Sequence, residues 1–394
     1  MVYIVTIAFL LVFIFVFDIG KGKKADANTC YNLTLLWFIA VSGFAYNVGS
    51  DTVIYMEEYS YANWKSLETI EAGASRQPAW LLLEFLCRRI SDNFVLFKLV
   101  IAAFGNWAVF RFIKKHSSFP FISVLFYGLF FALHLNFNAL RQFVAVGFFL
   151  IGYDYLIDKK WIKYYLLVVI AYLFHSTALI CAFFPLLMFL KLNKRSIGFL
   201  GAIVLVGTSV LLSMDLSSVI AELIFSNEDL ISEEMMSRGE VYFGDNSLGS
   251  VSWSIFGMIR IIFFVGLYLW ILFFNLSNER ARKLDHSLYV LFVLFYVLNF
   301  CVPIVFFRFL FYLQPFFICL LPNAVVKFAD SLRNIKTVAV AVMIMFFSIE
   351  PIIDLSTVSS KTGVPLIVQY YPYYSVFNPQ IDPVRSSAFG AYRK

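Results

Sequence analysis

Long apolar runs dominate the pattern of hydrophobic and polar positions along the chain. Runs of about 20 apolar residues are typical of helices that cross a membrane, whereas a transmembrane β-barrel shows short alternating segments. The pattern therefore predicts an all-α, polytopic integral membrane protein with about 12 transmembrane helices. The predicted spans are 2–18, 29–46, 93–111, 119–136, 139–156, 161–176, 177–191, 197–213, 255–275, 286–303, 306–325 and 337–353.

Composition supports this class of protein. The chain is 61% hydrophobic and 14% charged, whereas a soluble domain carries about 25% charged residues. Its first apolar run has neither a basic start nor a cleavage site, so it is predicted to be a retained span. The five cysteines form no C-x-x-C pair and are interpreted as buried small hydrophobic residues. With no internal repeat detected, residues 1–394 are predicted to form a single transmembrane domain.

The basic residues set the predicted orientation. Excess Lys and Arg mark the cytoplasmic loops of membrane proteins, so the net charge of +6 gives no reason to expect nucleic acid as a partner. Six loops carry three basic residues each, and this regularity predicts that they are cytoplasmic and that both termini lie outside. The outer segments are then 47–92, 214–254 and 354–394. The basic residues are Lys21, Lys23, Lys24, Arg111, Lys114, Lys115, Lys159, Lys160, Lys163, Lys191, Lys194, Arg195, Arg280, Arg282, Lys283, Lys327, Arg333 and Lys336.

The segment "PAWLLLEFLCRRI" at residues 78–90 is apolar but too short to span a membrane. Counting it as a span would place every later basic loop outside. Glu84, Arg88 and Arg89 also indicate a polar face. The segment is therefore predicted to be an amphipathic helix on the outer membrane surface.

Four basic residues depart from this charge pattern because they fall on the outer side. Arg141 and Arg308 lie at the outer ends of predicted spans, His175 lies at an outer turn, and Arg76 precedes the interfacial helix. A lone arginine there ordinarily snorkels to lipid phosphates. At a helix start, however, the dipole disfavours a cation and favours an anion. Arg141 and Arg308 together therefore suggest a site for a lipid pyrophosphate, which guanidinium groups bind through two oxygens.

Carboxylates on the outer side are few. Asp51 follows the second span, with Glu57 and Glu58 after it; the alternative role for Asp51 is to cap a helix at residues 52–60. His134 and His286 are interpreted as interfacial residues. No D-x-D or H-E-x-x-H pattern occurs on the outer side, so no metal site is predicted.

The stretch "NFNALRQFVAVGFFLIGYDYLIDKKWIKYYLLVVIAYLFHSTALI" resembles the EpsG-like, Wzy-type polysaccharide polymerases. The shared pattern is Asn-x-x-Arg-Gln at a helix start, a span, a Lys-rich aromatic turn, a second span and then His-Ser/Thr-Ala. "VGSDTVIY" resembles the family's Gly-x-Asp-x-x-x-Tyr, and "PAWLLLEFLCRRISDNFVLF" its outer helix. "FRFLFYLQPFFICLLP" resembles its Arg-x-x-x-Tyr span, and "YPYYSVFNP" its aromatic tail. These matches run in order over most of the chain.

The resemblance implies a glycosyltransferase that polymerises undecaprenyl-pyrophosphate-linked oligosaccharide at the periplasmic face of the bacterial inner membrane. It places Asp51, Arg141, Gln142, His175 and Arg308 on matching motif positions. One departure concerns the position before the proline of the outer helix. Family members often carry an acidic residue there, and this chain has Gln77 preceded by Arg76.

The resulting hypothesis gives each candidate residue a role. His175 or Asp51 is the catalytic base, and Arg141, Gln142, Arg308 and Arg76 bind substrate. No cofactor is expected; the expected partners are the lipid-linked oligosaccharide, the bilayer and, as a further candidate, a chain-length regulator. The product is an O-antigen, a capsule or an exopolysaccharide. Two alternatives stay open, namely a flippase for lipid-linked oligosaccharide and a membrane O-acyltransferase acting on the same glycan.

Overall fold

The structure, a computed structural model, describes residues 1–20, 22–62, 77–190, 199, 207, 255–275, 280–301, 303–330, 335–358 and 362–390. These residues form helices and no β-strand. Five of the described helices are long and apolar enough to cross a membrane, and several shorter helices are apolar as well. The prediction of an all-α, polytopic membrane protein is confirmed.

The helices up to residue 189 fall close to the predicted spans. They are α1 (Val2–Phe13, continued by a π-helical turn at Ile14–Asp18), α2 (Lys24–Gly43), α3 (Thr52–Tyr61), α4 (Pro78–Ile90), α5 (Phe94–His116), α6 (Pro120–Phe137), α7 (Leu140–Ile157) and α8 (Trp161–Phe174). The next span, predicted at 177–191, forms a 3-10 helix at Ser176–Phe189. Pro185 lies inside it and has no amide hydrogen to donate to a helical hydrogen bond.

The remaining helices begin at residue 255. They are α9 (Ile255–Asn275), α10 (Arg280–Cys301), α11 (Pro303–Asp330), α12 (Lys336–Phe347), α13 (Ile349–Ser356), a 3-10 helix at Leu366–Gln369 and α14 (Pro383–Gly390). The predicted span 197–213 lies outside the described residues except for Phe199 and Gly207, and the outer segment 214–254 lies outside them entirely.

Helix α4 has the bounds predicted for the interfacial helix. Pro78 occupies its first turn, where a missing amide hydrogen has no consequence for the helix. Trp80, Glu84 and Cys87 follow helical spacing and form its buried face. The Trp80 ring lies 5.3 Å from that of Tyr55 in α3 and 4.9 Å from that of Phe97 in α5. Helix α4 is thus fixed against two neighbouring helices, while its position on the membrane surface stays a prediction.

The chain divides into two compact units. The first comprises Met1–Ala182 with Leu321–Lys394, and the second comprises Phe183–Leu320. In the second unit, the ring of Tyr268 lies 5.4 Å from that of Phe292 and 5.1 Å from that of Phe317. Such contacts among aromatic rings hold its helices together. The single domain predicted for residues 1–394 stays a prediction.

Helices α5, α6 and α7 form the centre of the first unit, since most residues of their apolar stretches are buried. Gly105 of α5 admits the ring of Phe143 from α7 at a spot that a β-carbon would fill. Beside it, the buried Asn106 donates to Asn136 Oδ1 at 2.8 Å and accepts from Tyr127 Oη at 2.8 Å. Asn136 donates in turn to Tyr127 Oη at 3.0 Å. Mutual hydrogen bonding lets these polar groups lie within apolar helices.

Candidate functional site

Asn138 is the centre of the candidate site. It lies in the two-residue turn between α6 and α7 and is buried. Its Oδ1 accepts a hydrogen bond from the Ser50 amide at 2.9 Å, while its Nδ2 donates to Gln369 Oε1 at 2.6 Å and to Tyr370 Oη at 3.0 Å. One side-chain amide therefore joins the turn after α2, the turn before α7 and the C-terminal tail.

The turn at residues 47–52 needs a glycine. Gly49 has a φ of +95°, and an added β-carbon would collide with the carbonyl group of Phe137. Its amide donates to the Gln369 carbonyl oxygen at 2.8 Å, and Thr52 Oγ1 donates to the Phe137 carbonyl oxygen at 2.7 Å. This close approach positions Asp51, which lies between Ser50 and Thr52, beside the α6–α7 turn.

Asp51 precedes α3 at the capping position, yet its side chain makes no capping hydrogen bond. Its Oδ1 instead accepts from Ser50 Oγ at 3.1 Å. Burial raises the pKa of the Tyr370 hydroxyl, and the nearby Asp51 carboxylate raises it further. The Tyr370 oxygen also lies 3.5 Å from His134 Nδ1. A carboxylate, a phenol, an amide and an imidazole thus meet in one cluster.

A buried lysine lies beneath this cluster. Lys98, in the second turn of α5, is 1% exposed and donates from Nζ to the Ala45 carbonyl oxygen at 3.1 Å. The same Nζ lies 5.5 Å from the centre of the Phe137 ring, the geometry of a cation–π contact. Lys98 therefore supports both the turn after α2 and the residue next to Asn138.

The tail is bound to the site by Arg385. Its guanidinium donates to the carbonyl oxygens of Val368 at 2.9 Å, of Pro372 at 2.6 Å and of Asn47. Burial lowers the pKa of Arg385, an effect that the neighbouring Asp382 opposes. Backbone hydrogen bonds from Tyr46 and Val376 join the tail to residues 44–46. The aromatic tail is consequently a structural part of the site.

Arg141 lies in the first turn of α7, three residues after Asn138. Its Nη1 donates to Gln77 Oε1 at 2.8 Å, while its Nε is buried and makes no hydrogen bond among the described residues. The neighbouring Gln142 is buried. Gln77, directly before the proline that begins α4, therefore contacts Arg141 through a neutral amide.

The other predicted site residues are less closely connected to this cluster. His175 directly follows α8, and its Nδ1 lies 2.7 Å from Thr177 Oγ1, which fits a local role at the helix turn. Arg308 is an exposed residue of α11 in the second unit. Arg76 lies outside the described residues. Of the six predicted residues, the structure connects Asp51 and Arg141 through the Asn138 turn.

Sequence reasoning missed three members of the cluster. Asn138, Tyr370 and Lys98 were not predicted to be site residues, and His134 was interpreted as interfacial. One signal was present: Lys98 lies in the predicted outer half of an apolar span, where a cation is scarce. The other signal was the pair of asparagines in "NFN" between two apolar runs.

The helices and apolar spans define a membrane protein, and its polar cluster is a candidate site where α5 and α7 begin and α6 ends. A sequence model of the EpsG family matches residues 28–375, most of the chain. The protein belongs to the EpsG family. Neither a curated protein nor a solved structure matches the chain. Family membership indicates a function in polysaccharide synthesis of the polymerase type.

Proposed function

We propose that this EpsG-family protein is a glycosyltransferase that polymerises undecaprenyl-pyrophosphate-linked oligosaccharide at the periplasmic face of the bacterial inner membrane. Its membership of the family supports membrane-bound polysaccharide synthesis. The observation that carries the proposal is the meeting of Asp51, Asn138 and Tyr370 beside the turn from which Arg141 follows. The reaction needs a base that takes the acceptor proton and a group that binds the departing phosphate.

In the proposed reaction, a hydroxyl oxygen of the incoming repeat unit attacks the anomeric carbon of the growing chain. The bond between that carbon and the pyrophosphate oxygen breaks as the new glycosidic bond forms. Asp51 takes the hydroxyl proton, with His175 as the second candidate base. Arg141 stabilises the charge that develops on the departing undecaprenyl pyrophosphate, and Arg308 is proposed to assist it.

The contact between Arg141 and Gln77 supports the proposed role of Arg141. A carboxylate at residue 77 would pair with the guanidinium and compete with a phosphate for it. The Gln77 amide occupies one N–H group at 2.8 Å and leaves the positive charge uncancelled. A guanidinium at a helix start gains stability from an anion, because the helix dipole there favours negative charge. Arg141 in this setting suits an anionic ligand.

An apolar groove beneath the cluster suits the hydrocarbon tail of the same substrate. Its volume is about 270 Å³, and residues of α1, α2, α6, α13 and the tail line it. Of its lining residues, Phe137 directly precedes Asn138 in the chain, and Ile367 lies two residues before Gln369. An isoprenoid tail in this groove would keep its pyrophosphate close to the polar cluster. We therefore assign the groove to the undecaprenyl chain.

The proposal is tested by Arg141→Ala and Arg308→Ala in cells that depend on this protein for polymer. Arg89→Ala is the matched control, because Arg89 is also predicted to be on the outer side and its guanidinium lies 5.1 Å from the Phe85 ring. Polymer length is measured on gels at equal protein levels. Losing an arginine that stabilises a leaving group is expected to lower polymer formation at least 100-fold. The control variant Arg89→Ala is expected to form polymer as wild type does.

The glycan that accumulates separates polymerase from the alternatives. A blocked polymerase leaves single repeat units exposed on the periplasmic side, whereas a blocked flippase leaves them inside. A blocked O-acyltransferase changes acetyl content and leaves chain length intact. Full-length polymer in both arginine variants, at wild-type protein levels, would contradict the phosphate-binding role.

A further inference from the structure

A second groove lies between α2 and α5, at the end of α5 opposite the candidate site. Helix α5 begins near the cluster and runs for 23 residues, about 35 Å at 1.5 Å per residue. The groove has a volume of about 370 Å³. Its lining joins aromatic, apolar and cationic side chains, including Tyr31, Asn32, Leu35, Trp107, Arg111 and Lys114.

The cationic end of this groove has more positive charge than its ion pairs neutralise. Arg111 and Lys115 contact the two carboxylate oxygens of Asp154 in α7, at 2.6 Å and 2.7 Å. Lys114 forms no ion pair among the described residues, and its Nζ lies 5.6 Å from the centre of the Tyr31 ring. Among the described residues, the groove thus has three cationic side chains, and the ion pairs that two of them form go to a single carboxylate. This charge balance favours an anionic ligand at the end of α5.

The rest of the groove suits hydrocarbon. Trp107 lies two turns before Lys114 on α5 and is 44% exposed, and Leu35 forms part of the opposite wall on α2. The nearby Leu33 and Leu36 are also exposed, as expected of side chains that face lipid. A free inorganic anion would gain nothing from these apolar walls. An amphiphile satisfies both ends, with its anionic head at the lysine and its chain along the tryptophan.

We propose that this groove binds an anionic phospholipid such as phosphatidylglycerol. The phosphate lies at Lys114 beside the Arg111 and Lys115 side chains, and an acyl chain lies against Trp107 and Leu35. Basic grooves between helices, close to the membrane surface, bind lipid head groups through the same combination of charge and apolar contact. The site is distinct from the candidate site at the other end of α5, and its existence does not depend on the proposed function.

The chain offers a matched control for Lys114. Lys163 of α8 is exposed and also lies 5.6 Å from an aromatic ring, that of Tyr155, but it is not part of the groove. Removing either lysine therefore removes one exposed cation and one cation–π contact. Only Lys114→Ala also removes a proposed lipid contact. If the two variants differ in lipid retention, the difference therefore comes from the loss of the lipid contact in the groove.

The experiment measures lipid retained by the full chain, using native mass spectrometry and bilayer nanodiscs. Wild type is expected to retain phosphatidylglycerol in preference to phosphatidylcholine with the same acyl chains. Lys114→Ala is expected to lower that preference about fivefold, the effect of one cation near an anionic membrane surface. Lys163→Ala should change it less than twofold, and Lys114→Arg should preserve it because the charge remains. Unfolding midpoints measured in phosphatidylcholine check that all three variants fold.

Two results would overturn the proposal. One is equal loss of phosphatidylglycerol in Lys114→Ala and Lys163→Ala, which would reduce the effect to general surface charge. The other is displacement of the lipid by millimolar inorganic phosphate, which would mean that the groove binds a soluble anion.

Discussion

Asp51 occupies a capping position, but its carboxylate faces the Tyr370 cluster without making a capping bond. An aspartate before a helix ordinarily accepts a hydrogen bond from the first-turn amides. Here the Asn138 and Gly49 contacts fix the turn, so the carboxylate is not needed to start α3. Its position beside Tyr370 makes Asp51 the better supported of the two candidate bases.

We predict that Asp51→Asn lowers polymer formation at least 100-fold while the protein level stays within twofold of wild type. The amide keeps the shape of the side chain but cannot take a proton, and general bases contribute about 10²–10⁴ in rate. The measurement is polymer length and amount at equal expression.

Glu57→Gln is the control, since Glu57 is an exposed carboxylate of the same helix. Asp51→Asn with normal polymer would transfer the proposed role to His175. A similar loss in both variants would point instead to a general effect of charge on α3.

Among the elements, the turn after α2 is the most constrained. Gly49 combines a positive φ with a backbone contact to Phe137, and Lys98 and Arg385 fix the residues before it. Backbone atoms on both sides of the contact cannot rotate away as a side chain can. The turn should therefore tolerate substitution poorly.

We predict that Gly49→Ala lowers the apparent unfolding midpoint more than Gly363→Ala does. Both glycines have positive φ, at +95° and +67°, but an added β-carbon at Gly363 meets nothing within 4 Å. A positive φ at alanine alone costs about 1–2 kcal/mol of stability. The difference in unfolding midpoint between the two variants therefore measures the collision with Phe137. Midpoints measured in detergent should separate clearly; equal shifts would mean that the turn relaxes without cost.

For the whole molecule, the apolar groove connects the proposed chemistry to the bilayer. Gly128 of α6 lines it, and a β-carbon there would meet only the Phe38 ring, at 3.6 Å, which is ordinary contact. A larger side chain at residue 128 should fill the groove without forcing the helices apart.

We predict that Gly128→Leu lowers polymerisation of substrate with a full-length undecaprenyl chain about tenfold, while substrate with a two-isoprene chain is used as by wild type. The leucine occupies the space of the long tail, and the short tail does not need that space. Gly266→Leu on α9 is the control, because Gly266 is exposed with nothing within 4 Å of an added β-carbon.

Equal effects on both substrates would indicate a packing defect at Gly128 in place of tail binding. Unchanged use of both substrates would remove the groove assignment, and the Asp51 and Arg141 variants would still test the polymerase proposal separately.

Much of the fold could be predicted from the sequence because the length and apolar character of each segment indicate its helix without reference to distant residues. Length and apolar character gave the bounds of α4 at Pro78–Ile90, and hydropathy alone gave those of α9 at Ile255–Asn275. The 3-10 conformation of Ser176–Phe189 was not predicted, since an apolar run of that length is compatible with either helix.

The candidate site was only partly predictable because neutral groups hold it together over long separations. Arg141 and Asp51 drew attention through charge and family motifs. Asn138 and Tyr370, however, are 232 residues apart, and no periodicity connects an amide in one turn to a phenol in the tail. Hydrogen bonds of this kind become visible only when the chain is folded.

The bonds from Arg385 and Tyr370 to the turns at Asn47 and Asn138 also affect when the cluster can form. Translation proceeds from the N-terminus, so helices α3, α5, α6 and α7 emerge from the ribosome before residues 366–385. A nascent chain already inserted in the membrane therefore lacks the groups that complete the cluster. The polar cluster should therefore assemble only after residues 366–385 have been synthesised, when the earlier helices have already entered the bilayer.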